Sequence, residues 1–231
     1  MAFTIKTLKY SKDEISYMTS SYKYELPTID HTIEIPDNCT GICILMIGGG
    51  GSAMYENGQC TNGQDGSECQ VRFDAPKKDD KIVINLGLGG EYQIIGRDIN
   101  TNVESKRGRD SVLKVNDEII AIAKGSSMGI ETFENKYANF INVDKESSFK
   151  FSDRHNSPVE YCYTINDYNG NFGWGGKGKK FYDGEVYLGA GGHGAAIVWI
   201  RHFYYCCGKS GCYKTYKMKE ELEQHEYEHI V

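Results

Sequence analysis

Ile42-Cys43-Ile44-Leu45-Met46-Ile47-Gly48-Gly49-Gly50-Gly51 is the stretch on which the fold turns. Six apolar residues, half of them isoleucine, are too few for a helix and suit a buried strand. Four glycines then end the run. The same grammar recurs on either side. Upstream, Thr32-Ile33-Glu34-Ile35 alternates and Pro36-Asp37-Asn38 turns. Downstream, Lys81 to Leu86 alternates and stops at Gly87-Leu88-Gly89-Gly90, and Ser111 to Val115 and Glu118 to Ala123 are strands joined by an Asn116-Asp117 turn. Glu185 to Leu188 runs into Gly189-Ala190-Gly191-Gly192-His193-Gly194, and Ala195 to Tyr205 is the longest apolar strand. Short strands, glycine-rich connections and no long helical pattern before residue 215 predict a mainly β protein, a glycine-rich β-sandwich or roll over residues 29–202. A small unit follows at 203–231. Residues 1–28 read as an N-terminal arm or a first strand pairing elsewhere. Residues 136–180 carry aromatics and a Gly-Lys cluster, as an insertion or a long hairpin would.

Composition narrows the function classes. The 231 residues include 27 Gly, 17 Tyr and 4 Pro, with a net charge of −6. That mild acidity supplies no electrostatic footprint for nucleic acid or an anionic membrane. The start lacks a basic-then-apolar secretory pattern, and no apolar run reaches the roughly 18 residues of a membrane span. The expectation is a soluble chain made in the cytoplasm. The eight cysteines then favour metal binding over a disulfide framework. Cys39, Cys43, Cys60, Cys69, Cys162 and Cys206 are read as reduced thiols, and the Asn38-Cys39-Thr40 sequon as incidental.

The remaining two cysteines belong to the pattern Cys207-x4-Cys212-x12-His225-x3-His229. Its spacing is that of a four-ligand Zn2+ site. Gly208-Lys209-Ser210-Gly211 can turn the chain so that two thiolates meet one ion. A helix from Lys217 to Ile230 would place Met218, Leu222, His225 and His229 along one stripe. Tyr205, Tyr216 and Leu222 fall where such a unit needs apolar packing. Cys206 in place of Cys207 fits the spacing less well. The segment resembles the C2H2 zinc-finger family over its whole length, with a looser x4 loop between the cysteines. The resemblance implies a ββα finger and maps the DNA-reading positions onto Met218, Glu221 and Gln224. Yet four lysines in this segment face five glutamates, Glu220, Glu221, Glu223, Glu226 and Glu228, which repel phosphate. Protein contact through Glu221, Gln224 and Glu228, or structural stapling, is the favoured use.

Three glycine clusters mimic nucleotide loops. Gly189 to Gly194 satisfies G-x-G-x-x-G, but a strand follows it rather than the helix that a pyrophosphate needs. Gly48 to Gly51 leads into a polar loop, and Gly173 to Lys180 puts Lys180 where Ser or Thr should hold magnesium. Tight turns or packed glycine backbones are the expectation. No catalytic residues are assigned: His155, His193 and His202 have no nucleophile at motif spacing, Cys162 has no elbow around it, and Asp79 and Asp80 read as turn carboxylates.

The order of the pieces carries a second resemblance. An Ile-Pro-Asp turn leads to the apolar strand and Gly48-Gly49-Gly50-Gly51. Asp80-Lys81-Ile82-Val83-Ile84-Asn85 with Gly87-Leu88-Gly89-Gly90 follows, then Gly108-Arg109-Asp110-Ser111, then Gly191 to Ile200. This is similar to the glycine-rich β domain of phage tail-fibre and other viral structural proteins. Lys124-Gly125-Ser126-Ser127-Met128 stands where that family has a glycine run, which argues against a glycine-only layer. Together the two resemblances imply a non-enzymatic virion component of a large DNA virus, a minor capsid or fibre-associated protein. Its partners would be other structural proteins in a larger assembly, with self-association compatible. The rivals are a carbohydrate-binding or adhesin module, with Tyr161, Tyr163, Trp174, Phe181 and Tyr182 as sugar platforms, and a nucleic-acid-binding finger protein.

Overall fold

A computed structural model describes residues 2–10, 29–74, 76–96, 102–126, 130–132, 139–141, 172–181 and 184–229. The protein is mainly β, built of antiparallel sheets, with one short helix among the described residues. The first five-stranded sheet has the order β1 (Ala2–Leu8), β15 (Ala195–His202), β3 (Cys39–Ile47), β6 (Glu68–Asp74) and β12 (Asn139–Ile141). The second has the order β11 (Ile130–Thr132), β10 (Glu118–Ala123), β9 (Ser111–Val115), β7 (Ile82–Asn85) and β2 (Asp30–Ile33). Alternate residues of both form one core: Ile42, Ile44 and Met46 of β3, Val71 and Phe73 of β6, and Val198 and Ile200 of β15 join Ile82, Ile84, Leu113 and Val115. The predicted sandwich is present, and the N-terminal residues supply an edge strand, β1, paired along its length with β15. The Asn116-Asp117 turn between β9 and β10 has φ of 51° and 67°, the left-handed pair that matches the twist of a two-residue hairpin.

Beyond one end of the sandwich, six of its strands run on into segments that belong to no sheet. Residues 48–53 continue β3, 86–91 continue β7, and 124–126 continue β10; residues 62–67, 104–110 and 189–194 lead into β6, β9 and β15. A seventh segment, 172–177, joins them. Residues 48–53 stand at the centre. Their N–H groups donate in rotation to three neighbours: Gly48 and Gly51 to Ser67 and Gln64, Gly49 and Ser52 to Arg109 and Lys106, and Gly50 and Ala53 to Gly192 and Gly189, all at 2.8–3.0 Å. Their carbonyls accept from the other three segments, Gly49 from Ser126, Gly50 from Gly90 and Gly51 from Gly176. This three-residue rotation is that of a polyproline-II-like chain, which makes no internal hydrogen bonds and must find partners outside itself.

The six outer segments close a ring around the centre. Gly192 donates to Trp174, Gly66 to Gly173, Ser67 to Lys124, Arg109 to Leu88 and Gly191 to Gly90. Ser126 Oγ accepts from Gly108 N–H at 2.9 Å and completes the circuit. The central glycines are therefore packed backbones, while Gly173, φ 68°, also forms a turn. Gly48 to Gly51 have no φ in the left-handed region; what the array demands is the missing Cβ. A methyl on Gly50 would meet the Trp174 carbonyl, and one on Gly191 the Gly50 carbonyl, both closer than 3.0 Å. The layer is not glycine-only. Lys124-Gly125-Ser126 does take part, and Ser52, Ser111 and Ser126 use buried hydroxyls to satisfy backbone groups at its margins.

The far side of the array is capped by a three-stranded sheet, β13 (Gly178–Lys180), β14 (Val186–Leu188) and β8 (Gln93–Ile95), and a hairpin of β4 (Met54–Glu56) and β5 (Gln59–Thr61). Ala53, Tyr55, Ile95, Val186 and Leu188 make a second apolar cluster there. His193 sits in the array with Nδ1 accepting from Gly89 N–H at 2.7 Å and the Tyr10 ring 5.3 Å away. Desolvation drives its pKa down to about 3.

Two outcomes follow from this packing. Gly50→Ala and Gly191→Ala should each cost more than about 4 kcal/mol in urea denaturation, because two backbones must separate. Gly96→Ala, whose added methyl meets nothing within 4 Å, should stay within about 0.5 kcal/mol of the parent. Acid should expose His193. Its folded pKa, about 3, lies below the unfolded value near 6.5, so the unfolded chain binds the proton first and stability falls as pH drops through that window. His193→Asn keeps an acceptor for Gly89 without titrating, and should flatten the pH dependence of unfolding between about pH 6.5 and 3.

Candidate metal centre

The C-terminal unit begins where β15 ends, with no linker of its own. Phe203 N–H donates to the Asn38 carbonyl and Asn38 Nδ2 donates to the Phe203 carbonyl, each at 2.9 Å. With Nδ2 so engaged, Asn38 Oδ1 faces His202 Nδ1 at 3.3 Å, and His202 Nε2 lies 2.7 Å from Thr4 Oγ1. This hydroxyl–imidazole–amide chain bolts the edge strand β1 and the β2–β3 turn to the root of the unit. Arg201 adds a second tie, donating from Nε to Thr40 Oγ1 and from its terminal amine to the Thr40 carbonyl.

The unit itself is a hairpin and a helix. Tyr205 of β16 (Tyr205–Cys206) pairs with Tyr216 of β17 (Thr215–Tyr216). Between them the chain turns at Gly211, φ 79°, with Cys212 N–H donating to Lys209 and Cys207 N–H to Lys214. Helix α1 (Lys219–Glu228) follows. Glu221 Oε2 accepts from Met218 N–H at 3.3 Å at the helix start, where Glu220 and Glu221 also complement the dipole. His225 is the one buried residue of the helix. Tyr205, Tyr216 and Leu222 are only half-buried, so the unit has almost no apolar core.

Four side chains converge in place of that core. Cys212 Sγ lies 3.1 Å from His225 Nε2, His229 Nε2 lies 3.0 Å from His225 Nε2, and the donor atoms of Cys207, Cys212, His225 and His229 all fall within 4.8 Å of one another. They are close enough to hold one metal ion. Hydrogen bonding from the Lys214 N–H, and then the His225 ring, pulls the Cys212 thiol down to about 6, which favours thiolate at neutral pH. At Cys207 the Lys209 N–H pulls the same way, but burial and the adjacent Cys212 raise its pKa. Cys206 is exposed and stands outside the group. The seven described cysteines form no disulfide, and burial pushes Cys69 up to about 12, an inert thiol.

The other candidates fall as follows. Glu221, Gln224 and Glu228 are exposed on the helix, Glu221 with the capping contact just described. Glu226 was not singled out by sequence reasoning, yet its Oε1 accepts from Gly208 N–H at 3.4 Å and steadies the turn between the cysteines. An acidic residue next to a ligand histidine was the only available signal. Trp174 is 41% exposed at the rim of the glycine array, while Tyr161, Tyr163 and Tyr182 lie outside the described residues, as does Cys162. Asp80 is a turn carboxylate, accepting from Lys77 N–H and Asn116 Nδ2.

A glycine-rich domain family matches residues 27–148, just over half of the chain. The chain belongs to this glycine-rich domain family. The match takes in five of the seven array segments, including the central one. A comparison with curated proteins returns no match. The glycine-rich domain does not extend to the metal centre, which lies beyond the matched residues.

Titrating metal-free protein with Co2+ or Zn2+ should give a stoichiometry of one ion per chain. Cys207→Ala and His225→Ala should each abolish tight binding, while Cys206→Ala should leave it intact, as read by elemental analysis after dialysis.

Proposed function

We propose that this protein is a non-enzymatic structural component of a larger assembly, of virion type, whose C-terminal zinc finger makes protein contact. The observation that carries the reading is the Cys2His2 cluster in a unit with hardly any core. Two thiolates and two imidazoles are a tetrahedral zinc donor set, and around such an ion the donors stand about 3.3–3.8 Å apart. Zinc would then supply folding energy on the order of 10 kcal/mol that apolar burial in the finger does not.

Contact with protein is favoured by what the finger leaves outside. Phe203, Tyr213, Met218 and Tyr227 are 49%, 94%, 45% and 68% exposed. Aromatic and Met side chains in such numbers suit a protein interface. On the helix Tyr227 emerges among Glu220, Glu223 and Gln224, a face unsuited to phosphate. A non-catalytic role is supported by the glycine segments, whose central N–H groups are spent on one another and so are not offered to a phosphate. The virion setting rests on the likeness of the glycine-rich body to viral structural domains. One observation favours the glycan-binding alternative, the exposed Trp174 at the array rim, and a glycan array tests it.

Mass spectrometry of purified particles from the source should find the chain as a stoichiometric component. Tyr213→Ala with Tyr227→Ala should leave zinc content unchanged and weaken co-assembly with its neighbour by tenfold or more. Tight, salt-sensitive DNA binding in a gel shift would overturn this reading in favour of a nucleic-acid one.

A further inference from the structure

We infer that Glu228 is a positioning residue for the metal centre, holding the His225 imidazole through its outer nitrogen. The inference rests on the metal reading of the Cys207, Cys212, His225 and His229 cluster. His225 Nε2 is the atom that faces Cys212 Sγ and His229 Nε2, so it is the nitrogen that must keep a free lone pair for the ion. The proton of the neutral ring is therefore on Nδ1. That nitrogen is buried and makes no hydrogen bond among the described residues. A buried N–H with no acceptor is disfavoured, and ligand histidines usually pass this proton to a carboxylate.

Glu228 is the carboxylate in reach. Its Oε2 stands 3.7 Å from His225 Nδ1, three residues on along the same helix. A side-chain rotation that moves the carboxylate by about 0.7 Å at this exposed, adjustable residue makes the hydrogen bond. Of the finger's other glutamates, Glu221 accepts from Met218 N–H, Glu226 from Gly208 N–H, and Glu223 pairs with Lys219 at 3.1 Å, while Glu220 stands in the first turn of the helix. Tyr216 packs beside the ring, its centroid 5.2 Å from that of His225. Glu228 thus does more than present charge to a partner. It selects the tautomer that binds and strengthens the imidazole as a donor.

The test uses the full chain with Zn2+ in competition with a chromophoric chelator. Glu228→Ala and Glu228→Lys should weaken zinc binding by about 10- to 100-fold. Glu228→Gln keeps an acceptor oxygen and should recover most of the loss, and Glu223→Ala should match the parent. The His225 Nδ1 proton, followed by NMR in the zinc-loaded protein, should be protected from exchange in the parent and in Glu228→Gln, and exchange rapidly in Glu228→Ala. Parent protein that binds zinc with Glu228→Ala within twofold of it, or with an unprotected Nδ1 proton, overturns the role of Glu228 alone. Parent protein that binds no zinc overturns the metal reading itself.

Discussion

Six backbones crowd around residues 48–53, and at Gly48, Gly49 and Gly50 nothing but hydrogen fits where a side chain would be. That single constraint organises the body of the protein. A polyproline-II-like segment cannot satisfy its own N–H and C=O groups, so each residue of the centre has to find them on neighbours. Three neighbours accept its protons and three donate to its carbonyls, and the distances this requires leave no room for a Cβ at Gly48, Gly49 or Gly50. The side chains that remain in the layer, such as Trp174, His193 and the buried serines, sit where a contact points outward or where a hydroxyl replaces a missing backbone partner.

The sandwich and the array depend on each other. Six sandwich strands feed the array at the same end, so their register sets the height of every glycine segment. In return, the array holds the strand ends apart at fixed spacings, and Ser111 shows the join: its hydroxyl donates to the Ile47 carbonyl and accepts from Gly87 N–H. The two sections are held by different forces. Apolar burial between two sheets stabilises the sandwich, whereas the array is a lattice of backbone hydrogen bonds with almost no apolar side chain inside it. A lattice of this kind tolerates little substitution at its glycines.

The C-terminal unit obeys a third logic. Its helix buries only His225, and its hairpin is four residues of strand, so neither sheet pairing nor a core can hold it. Cys207, Cys212, His225 and His229 converge where a core would be, close enough to hold one ion. The Asn38–His202–Thr4 chain at its root fastens the unit directly to the sandwich, which keeps its exposed aromatic side chains at a defined place on the body.

Much of this was legible in the amino-acid order because local chemistry determines it. Ile42 to Ile47, Lys81 to Leu86 and Ser111 to Val115 declare strands by their apolar alternation or runs, and Asn116-Asp117 declares the turn by its tolerance of positive φ. Cys207, Cys212, His225 and His229 were readable as a group from their spacing along one short segment, and the fold brings their donor atoms within 4.8 Å of one another. The meaning of the glycines was not readable in the same way. A glycine says only that space is short, not what occupies it, and Gly50 meets Trp174 and Gly192 from more than a hundred residues away. Lys124-Gly125-Ser126 argued against a glycine-only layer, and it enters the array with a serine, bonded to Ser67, Gly49 and Gly108. The contacts of Glu226 and Glu228 were likewise a matter of side-chain reach across a folded turn. Sequence determined which segments are strands, turns and candidate ligands, since each is decided by neighbours in the chain. Tertiary structure decided what the glycines are for, since hydrogen bonds between remote backbones leave no periodic trace in side-chain identity.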